Sequence, residues 1–274
     1  MKATIHGSVM HYESYGAGEP LLFIHGFPLS GELWMPLIPL LQEEYRLIIP
    51  DLRGFGQSDL SQESSMGQYV EDLATLLDLS GEQRPVVLVG LSMGGYIAFE
   101  FYRRYPERIR ALVLSDTRAP ADSEEGARGR LATAERVLRE GSAGFAEEMT
   151  GKLFAPQATE ELRQQWREIM TATAPESIAA ALRAMAERPD STETLATINR
   201  PTLILVGEED KITPLADAQA MQKAITGAEL EAVPAAGHMP PVEQPECFAA
   251  RLLQFLDNLD PLDQQGWPYR PDPE

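Results

Sequence analysis

The segment Gly90-Leu91-Ser92-Met93-Gly94-Gly95 follows an apolar run, Val86-Val87-Leu88-Val89, and precedes a helical pattern from Tyr96 to Tyr105. A serine hydroxyl is a poor nucleophile at neutral pH, so chemistry at Ser92 needs a neighbouring base and an exposed position. A sharp strand-to-helix turn supplies the exposure, and Gly90 and Gly94 relieve the crowding that such a turn creates.

The base must accept and return a proton near pH 7, which suits imidazole. The chain holds four histidines: His6, His11, His25 and His238. His6 and His11 fall in an N-terminal hairpin pattern and suit surface or packing roles. His25, in His25-Gly26-Phe27-Pro28, is placed to shape its loop by hydrogen bonds. His238, in Ala236-Gly237-His238-Met239-Pro240, lies between the last strand pattern and the last helix, where it can reach back over the C-terminal edge of a sheet.

A carboxylate must then fix the tautomer of that imidazole and stabilise the imidazolium. Asp210 follows a strand ending at Val206-Gly207 and precedes His238, the chain order serine, acid, histidine. Asp116, at the end of an earlier strand, competes for the role, while Glu208 and Glu209 read as solvated turn residues. Thr213 and Pro214 read as the cap and first position of the next helix. Acyl transfer also needs preorganised donors for an oxyanion. The backbone N–H groups of Phe27 and Met93 are the candidates.

The elements that would position these groups alternate, strand with helix. Strand patterns at Leu21–Ile24, Leu47–Ile49, Val86–Val89, Ala111–Leu114, Thr202–Val206 and Leu230–Val233 are short and apolar, as in a parallel sheet covered on both faces. Ile5 and Val9–Tyr15 predict two antiparallel edge strands. Ser65 and Gln68 match a capping box opening a helix through Tyr69, Leu73, Leu76 and Leu77. The expected class is therefore α/β: a mostly parallel twisted sheet with helices on both faces and an inserted helical lid. Residues 1–116 and 198–259 form the two parts of the core, and 117–197, rich in Ala, Glu and Arg, form the lid. The tail 260–274 carries four prolines and is expected to be extended or poorly ordered, with Trp267 and Tyr269 as possible surface anchors. Lid residues Leu131, Leu138, Phe145, Phe154, Trp166 and Met170 are candidate walls of a substrate pocket.

Composition narrows the partners. The net charge of -19 over 274 residues argues against nucleic acid and anionic membrane surfaces. No apolar run approaches the roughly 18 to 20 residues of a membrane span. The N-terminus lacks a secretory signal pattern, so a cytoplasmic location is expected. The single cysteine, Cys247, falls in an apolar helix pattern and reads as a buried, inert thiol. No Cys/His cluster has zinc-ligand spacing, and neither a metal nor a cofactor is expected.

The sequence resembles the α/β-hydrolase superfamily from about residue 5 to residue 258. The resemblance rests on His25-Gly26-Phe27-Pro28, on Asp51-Leu52-Arg53-Gly54-Phe55-Gly56-Gln57-Ser58, on the Ser92 turn, and on the Asp210 and His238 loops. Within the superfamily it is most similar to small carboxylesterases and 3-oxoadipate enol-lactonase-like enzymes. That likeness implies hydrolysis of a small-molecule ester or lactone through an acyl-enzyme, without a cofactor. Asp51 and Arg53 belong to a loop that is usually structural in such enzymes. Cofactor-free haloperoxidases (perhydrolases) and C–C bond hydrolases share the triad and remain alternatives. So does a ligand sensor built on the same scaffold. Epoxide hydrolases and haloalkane dehalogenases use an aspartate where this chain has Ser92. An enol-lactone substrate carries a carboxylate that would meet a cation; Arg118, just past a strand end, is the candidate. The oligomeric state is left open.

Overall fold

The computed structural model describes residues 1–260. The tail from 261, with Trp267 and Tyr269, lies outside the described residues. Eight strands form one sheet: β1 (Lys2–Ile5), β2 (Ser8–Tyr15), β3 (Glu19–Ile24), β4 (Tyr45–Pro50), β5 (Val86–Leu91), β6 (Ile109–Ser115), β7 (Thr202–Gly207) and β8 (Glu229–Val233). Their spatial order is β1-β2-β4-β3-β5-β6-β7-β8. The β1–β2 and β2–β4 pairs are antiparallel and every other pair is parallel, as the alternation of strand and helix patterns predicts.

Side-chain alternation along the central strands splits the interior into two cores. Leu22 and Ile24, Val86 and Leu88, and Leu112 and Leu114 face one core. Leu21 and Phe23, Val87 and Val89, and Ala111 and Val113 face the other. The first core is closed by α2 (Met66–Leu79) and α3 (Met93–Arg104), through Tyr69, Leu73, Ile97 and Phe101. A 3-10 turn at Gly31–Leu37, continued by α1 (Ile38–Leu41), closes the second with α11 (Pro245–Asp257), through Trp34, Phe248 and Leu252. The Ser65 hydroxyl accepts from the Gln68 amide and starts α2 as a cap, as its sequence pattern predicts.

Between β6 and β7 the chain forms α4 (Glu124–Glu140), α5 (Ala143–Leu153), α6 (Glu160–Ala172), α7 (Pro175–Ala186) and α8 (Thr192–Leu195), with no strand among them. After β7 come α9 (Leu215–Ala224) and, past β8, α10 (Pro240–Glu243). One cap differs from expectation. Helix α9 begins at Leu215 with Pro214 before it, and the Thr213 hydroxyl donates to Asp210 instead of capping the helix. A buried carboxylate is a stronger acceptor for that hydroxyl than the helix start.

The order of strands fixes where a site can form. From β3 the chain moves out to β4 on one side, then returns to β5 on the other. Connections that part in this way leave a crevice outside the C-terminal ends of β3 and β5. The Phe27 loop leaves β3 there, and Ser92 leaves β5.

Candidate active site

Ser92 stands between the last residue of β5 and the first of α3, with φ 57° and ψ −111°. This left-handed backbone is costly for a residue with a side chain, by about 1–3 kcal/mol, and persists only where its surroundings enforce it. They do so here through hydrogen bonds on both sides of the peptide. The Ser92 amide donates to the Ser115 carbonyl at 2.9 Å, and the Thr117 hydroxyl donates to the Ser92 carbonyl at 2.8 Å. A Cβ on Gly94 would overlap the carbonyl oxygen of Ile24, so α3 can approach β3 only if residue 94 has no side chain. Gly94→Ala is expected to cost about 1–3 kcal/mol of folding stability by overpacking. Urea denaturation would measure it; an unchanged midpoint would refute the crowding argument.

His238 and Asp210 meet at the same edge of the sheet. His238 Nδ1 lies 2.8 Å from Asp210 Oδ2, and both residues are buried. Asp210 also accepts the Thr213 hydroxyl at 2.6 Å and the Ile212 and Thr213 amides at 2.7 and 3.2 Å. Burial works to raise its carboxyl, but the His238 ring, the Thr213 hydroxyl and the Ile212 amide outweigh it and hold the group below the ordinary carboxylate range. With Nδ1–H committed to this carboxylate, Nε2 is the nitrogen left to take a proton.

Asp116 is the second acidic residue of this cluster. It sits at φ 44°, accepts the Gly207 amide at 2.8 Å and the Ser115 hydroxyl at 2.6 Å, and is buried. Burial first, then the charge of Asp210, raise its carboxyl well above the ordinary range. One ligand-type atom from each of Asp116, Asp210 and His238 lies within 4.8 Å of the other two. Among the described residues this cluster is where a metal could be imagined. Its oxygens are already engaged by backbone amides, by hydroxyls and by the imidazole, which suits an internal network better than an ion.

The two candidate oxyanion donors flank Ser92. Met93 opens α3, where an amide has no carbonyl of the preceding turn to bond. Phe27 follows Gly26, and a Cβ on Gly26 would lie 3.3 Å from Ser92 Cβ, so that loop runs directly beside Ser92. The Phe27 ring meets Phe145 of α5 at 5.7 Å and Phe55 at 6.2 Å. His25 is fully buried: its Nδ1 bonds the Gly26 carbonyl at 2.8 Å, and its Nε2 accepts the Leu52 amide at 3.0 Å. Burial lowers its pKa and keeps the ring neutral, a loop-shaping role. His11 joins Asp51 and Glu13, and Asp51 also accepts the Gly31 and Gln57 amides. Arg53 pairs with Asp72 through two bonds of 2.6 Å. These residues knit the loop and reach no reacting group.

The pocket candidates divide. Phe145 packs on Phe27. Phe154, Trp166 and Met170 are buried in the apolar cluster that also contains Met239. Leu131 and Leu138 are 41% and 43% exposed on α4, whose buried face carries Ala134 and Val137. Seven residues apart, the two leucines share one stripe, which flanks the buried face of the helix. Arg118 follows Thr117 and lies 3.9 Å from Asp122, with the Tyr96 hydroxyl and Asp217 nearby. Although burial opposes its charge, those neighbours hold the guanidinium protonated. A cavity of about 570 Å³ opens elsewhere, lined by His11, Glu13, Asp51, Gln57 and Glu168 among others; Ser92, Asp210 and His238 are not in its walls.

With this geometry in place the relatives can be read. Residues 19–245 match the alpha/beta hydrolase fold family, and the chain belongs to it. It is similar to the structure of a thermophilic esterase from Thermogutta terrifontis, with 40% identity and a TM-score of 0.91 over 94% of this chain and 97% of that one. It is 29% identical to 3-oxoadipate enol-lactonase 1 from Acinetobacter baylyi, over 87% of this chain and 89% of the relative. It is 32% identical to a putative non-heme chloroperoxidase from Synechocystis, over 90% of this chain and 94% of the relative. The family resemblance carried by the sequence motifs is thus confirmed. No helix among the described residues is long and apolar enough to cross a membrane.

Proposed function

We propose that this protein is a carboxylic ester or lactone hydrolase that works through an acyl-enzyme on Ser92. The observation that carries the reading is the left-handed Ser92 at the end of β5, facing the same sheet edge as a buried His238–Asp210 pair at 2.8 Å. His238 Nε2 takes the Ser92 proton as Oγ attacks the carbonyl carbon. The Phe27 and Met93 amides bind the oxyanion, each worth about 3–4 kcal/mol to such a transition state. His238 then gives its proton to the leaving alcohol. The same imidazole next deprotonates a water, which attacks the acyl carbonyl and releases the acid and Ser92. Asp210 holds the ring in the Nδ1–H tautomer throughout. Helices α4–α8 serve as the lid, and Phe145 meets the acyl group beside Phe27.

Relatives named as an esterase and an enol-lactonase support this chemistry for the present chain. Initial rates on p-nitrophenyl esters from acetate to palmitate test it. Turnover is expected to be highest on the acetate and butyrate esters, since the proposal sets the packed Phe27 and Phe145 rings at the end of the acyl site. No turnover on these esters or on simple lactones would overturn the proposal. A second reading is favoured by the relative named as a chloroperoxidase: hydrogen peroxide could replace water in clearing the acyl-enzyme. Acetate-dependent and peroxide-dependent halogenation of a phenol, lost with Ser92, would establish it.

A further inference from the structure

Glu243, the last residue of α10, has a part that neither the triad nor the oxyanion donors describe. Its Oε1 accepts the Gly237 amide at 2.8 Å and the Met239 amide at 3.2 Å, the two residues that flank His238. Its Oε2 accepts the Ala155 amide at 2.7 Å, just past the end of α5 in the lid. The amide between the two flanking ones, that of His238 itself, donates to the Leu153 carbonyl at 2.7 Å. Three successive amides of the His238 loop are therefore tied, alternately, to one carboxylate and to the lid.

The neighbourhood is built to keep that arrangement. A Cβ on Gly237 would lie 2.6 Å from the Ala155 nitrogen, so only glycine lets the lid segment come this close. Arg163 of α6 donates to the Ala155 carbonyl at 2.6 Å and sits 5.6 Å from the centre of the Phe154 ring. Burial raises the Glu243 carboxyl, while the three amides and Arg163 pull it back toward the charged form. The start of α10 does not require this glutamate for its own sake. Pro240 and Pro241 have no N–H to leave unsatisfied there.

We infer that Glu243 is a positioning residue that locks the His238 loop to the lid, so that seating of Leu153–Ala155 and alignment of His238 are one event. The inference rests on the hydrolase reading above. It makes the lid part of the support of the catalytic base as well as a cover for the substrate. Misplacing a reacting group by about 1 Å can cost on the order of a hundredfold in rate.

The test exploits the number of acceptors. A glutamine has one accepting oxygen, so Glu243→Gln keeps either the Gly237–Met239 pair or the Ala155 link and turns an NH2 donor toward the other. Active sites would be counted by stoichiometric labelling of Ser92 with a p-nitrophenyl phosphonate, and kcat expressed per labelled site. The expected result is a fall in kcat per site and in the phosphonylation rate of about tenfold or more, with KM for p-nitrophenyl butyrate within about threefold of the parent. A merely structural glutamate would reduce the number of labelled sites and leave the rate at each one unchanged. Full per-site kcat in Glu243→Gln overturns the inference while leaving the hydrolase reading intact. A parent protein that takes up no phosphonate defeats both. If Glu243→Gln does not fold, Ala155→Pro decides. It replaces the lid N–H with a ring carbon set against Glu243 Oε2, so the link is broken and the segment pushed off the carboxylate; it follows Phe154, whose extended backbone (ψ 147°) suits the position before proline. The same direction of change is expected, and an unaltered per-site kcat there overturns the lid link.

Discussion

Ser92→Ala is expected to lower kcat for p-nitrophenyl butyrate by at least about 10⁴-fold, while the protein keeps its fold and its thermal midpoint within a few degrees. On the proposed mechanism, alanine removes the atom that attacks the carbonyl. What survives is the oxyanion donors and the binding of the ester, which alone accelerate hydrolysis over water by about 10³–10⁴-fold. Stability is spared because the bonds that fix residue 92 run through its backbone, to Ser115 and Thr117. Alanine at φ 57° carries the same backbone strain as serine. Ser92→Gly separates the two effects. It is equally inactive, yet it relieves about 1–3 kcal/mol of strain, against roughly 0.5–1 kcal/mol of extra chain entropy lost on folding. At mid-range the net gain is about 1 kcal/mol, so its midpoint should exceed that of Ser92→Ala by about 2–4 °C. Calorimetry on both variants checks this; a less stable glycine variant would mean that the turn is not strained.

The same turn shows why so much of the protein could be read beforehand. Apolar strands buried on both faces are uninterrupted runs such as Val86–Val89, and the residues that follow them fall at one sheet edge by topology alone. Ser92, Asp210 and His238 each follow a strand, so their types and order were enough to nominate them. What escaped reading depended on side-chain direction and on who bonds whom. Leu131 and Leu138 are candidate pocket walls by type and by place in the lid, and only the structure shows that both are exposed on α4. Thr213 precedes a helix and looks like its cap, but a buried carboxylate claims its hydroxyl. Glu243 left one trace, a lone acid beside the otherwise apolar loop from Ala236 to Val242. Its partners include an amide 88 positions earlier, which no local pattern contains.

The pairing of Asp210 with Asp116 leads to the second large effect, and to one smaller than a triad usually shows. Loss of the triad carboxylate in a serine hydrolase commonly costs about 10⁴-fold in kcat, because the imidazole adopts the wrong tautomer and its positive charge goes unsupported. Here Asp210→Asn leaves a second buried acid within 4.8 Å of the His238 ring. Part of what raises the Asp116 carboxyl is the negative charge of Asp210 itself. Removing that charge makes Asp116 easier to ionise, and an ionised Asp116 can support the imidazolium. Asp210→Asn is therefore expected to lose about 10²–10³-fold rather than the full 10⁴-fold. Asp116→Asn alone should lose less than about tenfold, since Asp210 keeps its bond to Nδ1. The double variant should fall to the level of a triad with no acid, a loss greater than the product of the single effects. The sign with pH follows from the direction of the shift. A raised carboxyl ionises only as pH climbs, so the residual rate of Asp210→Asn should increase with pH beyond the titration of the histidine itself, and this extra limb should vanish when Asp116 is also replaced. A residual rate with the same pH profile in the single and double variants would show that Asp116 only packs the sheet edge, and would leave Asp210 as the sole carboxylate able to serve His238.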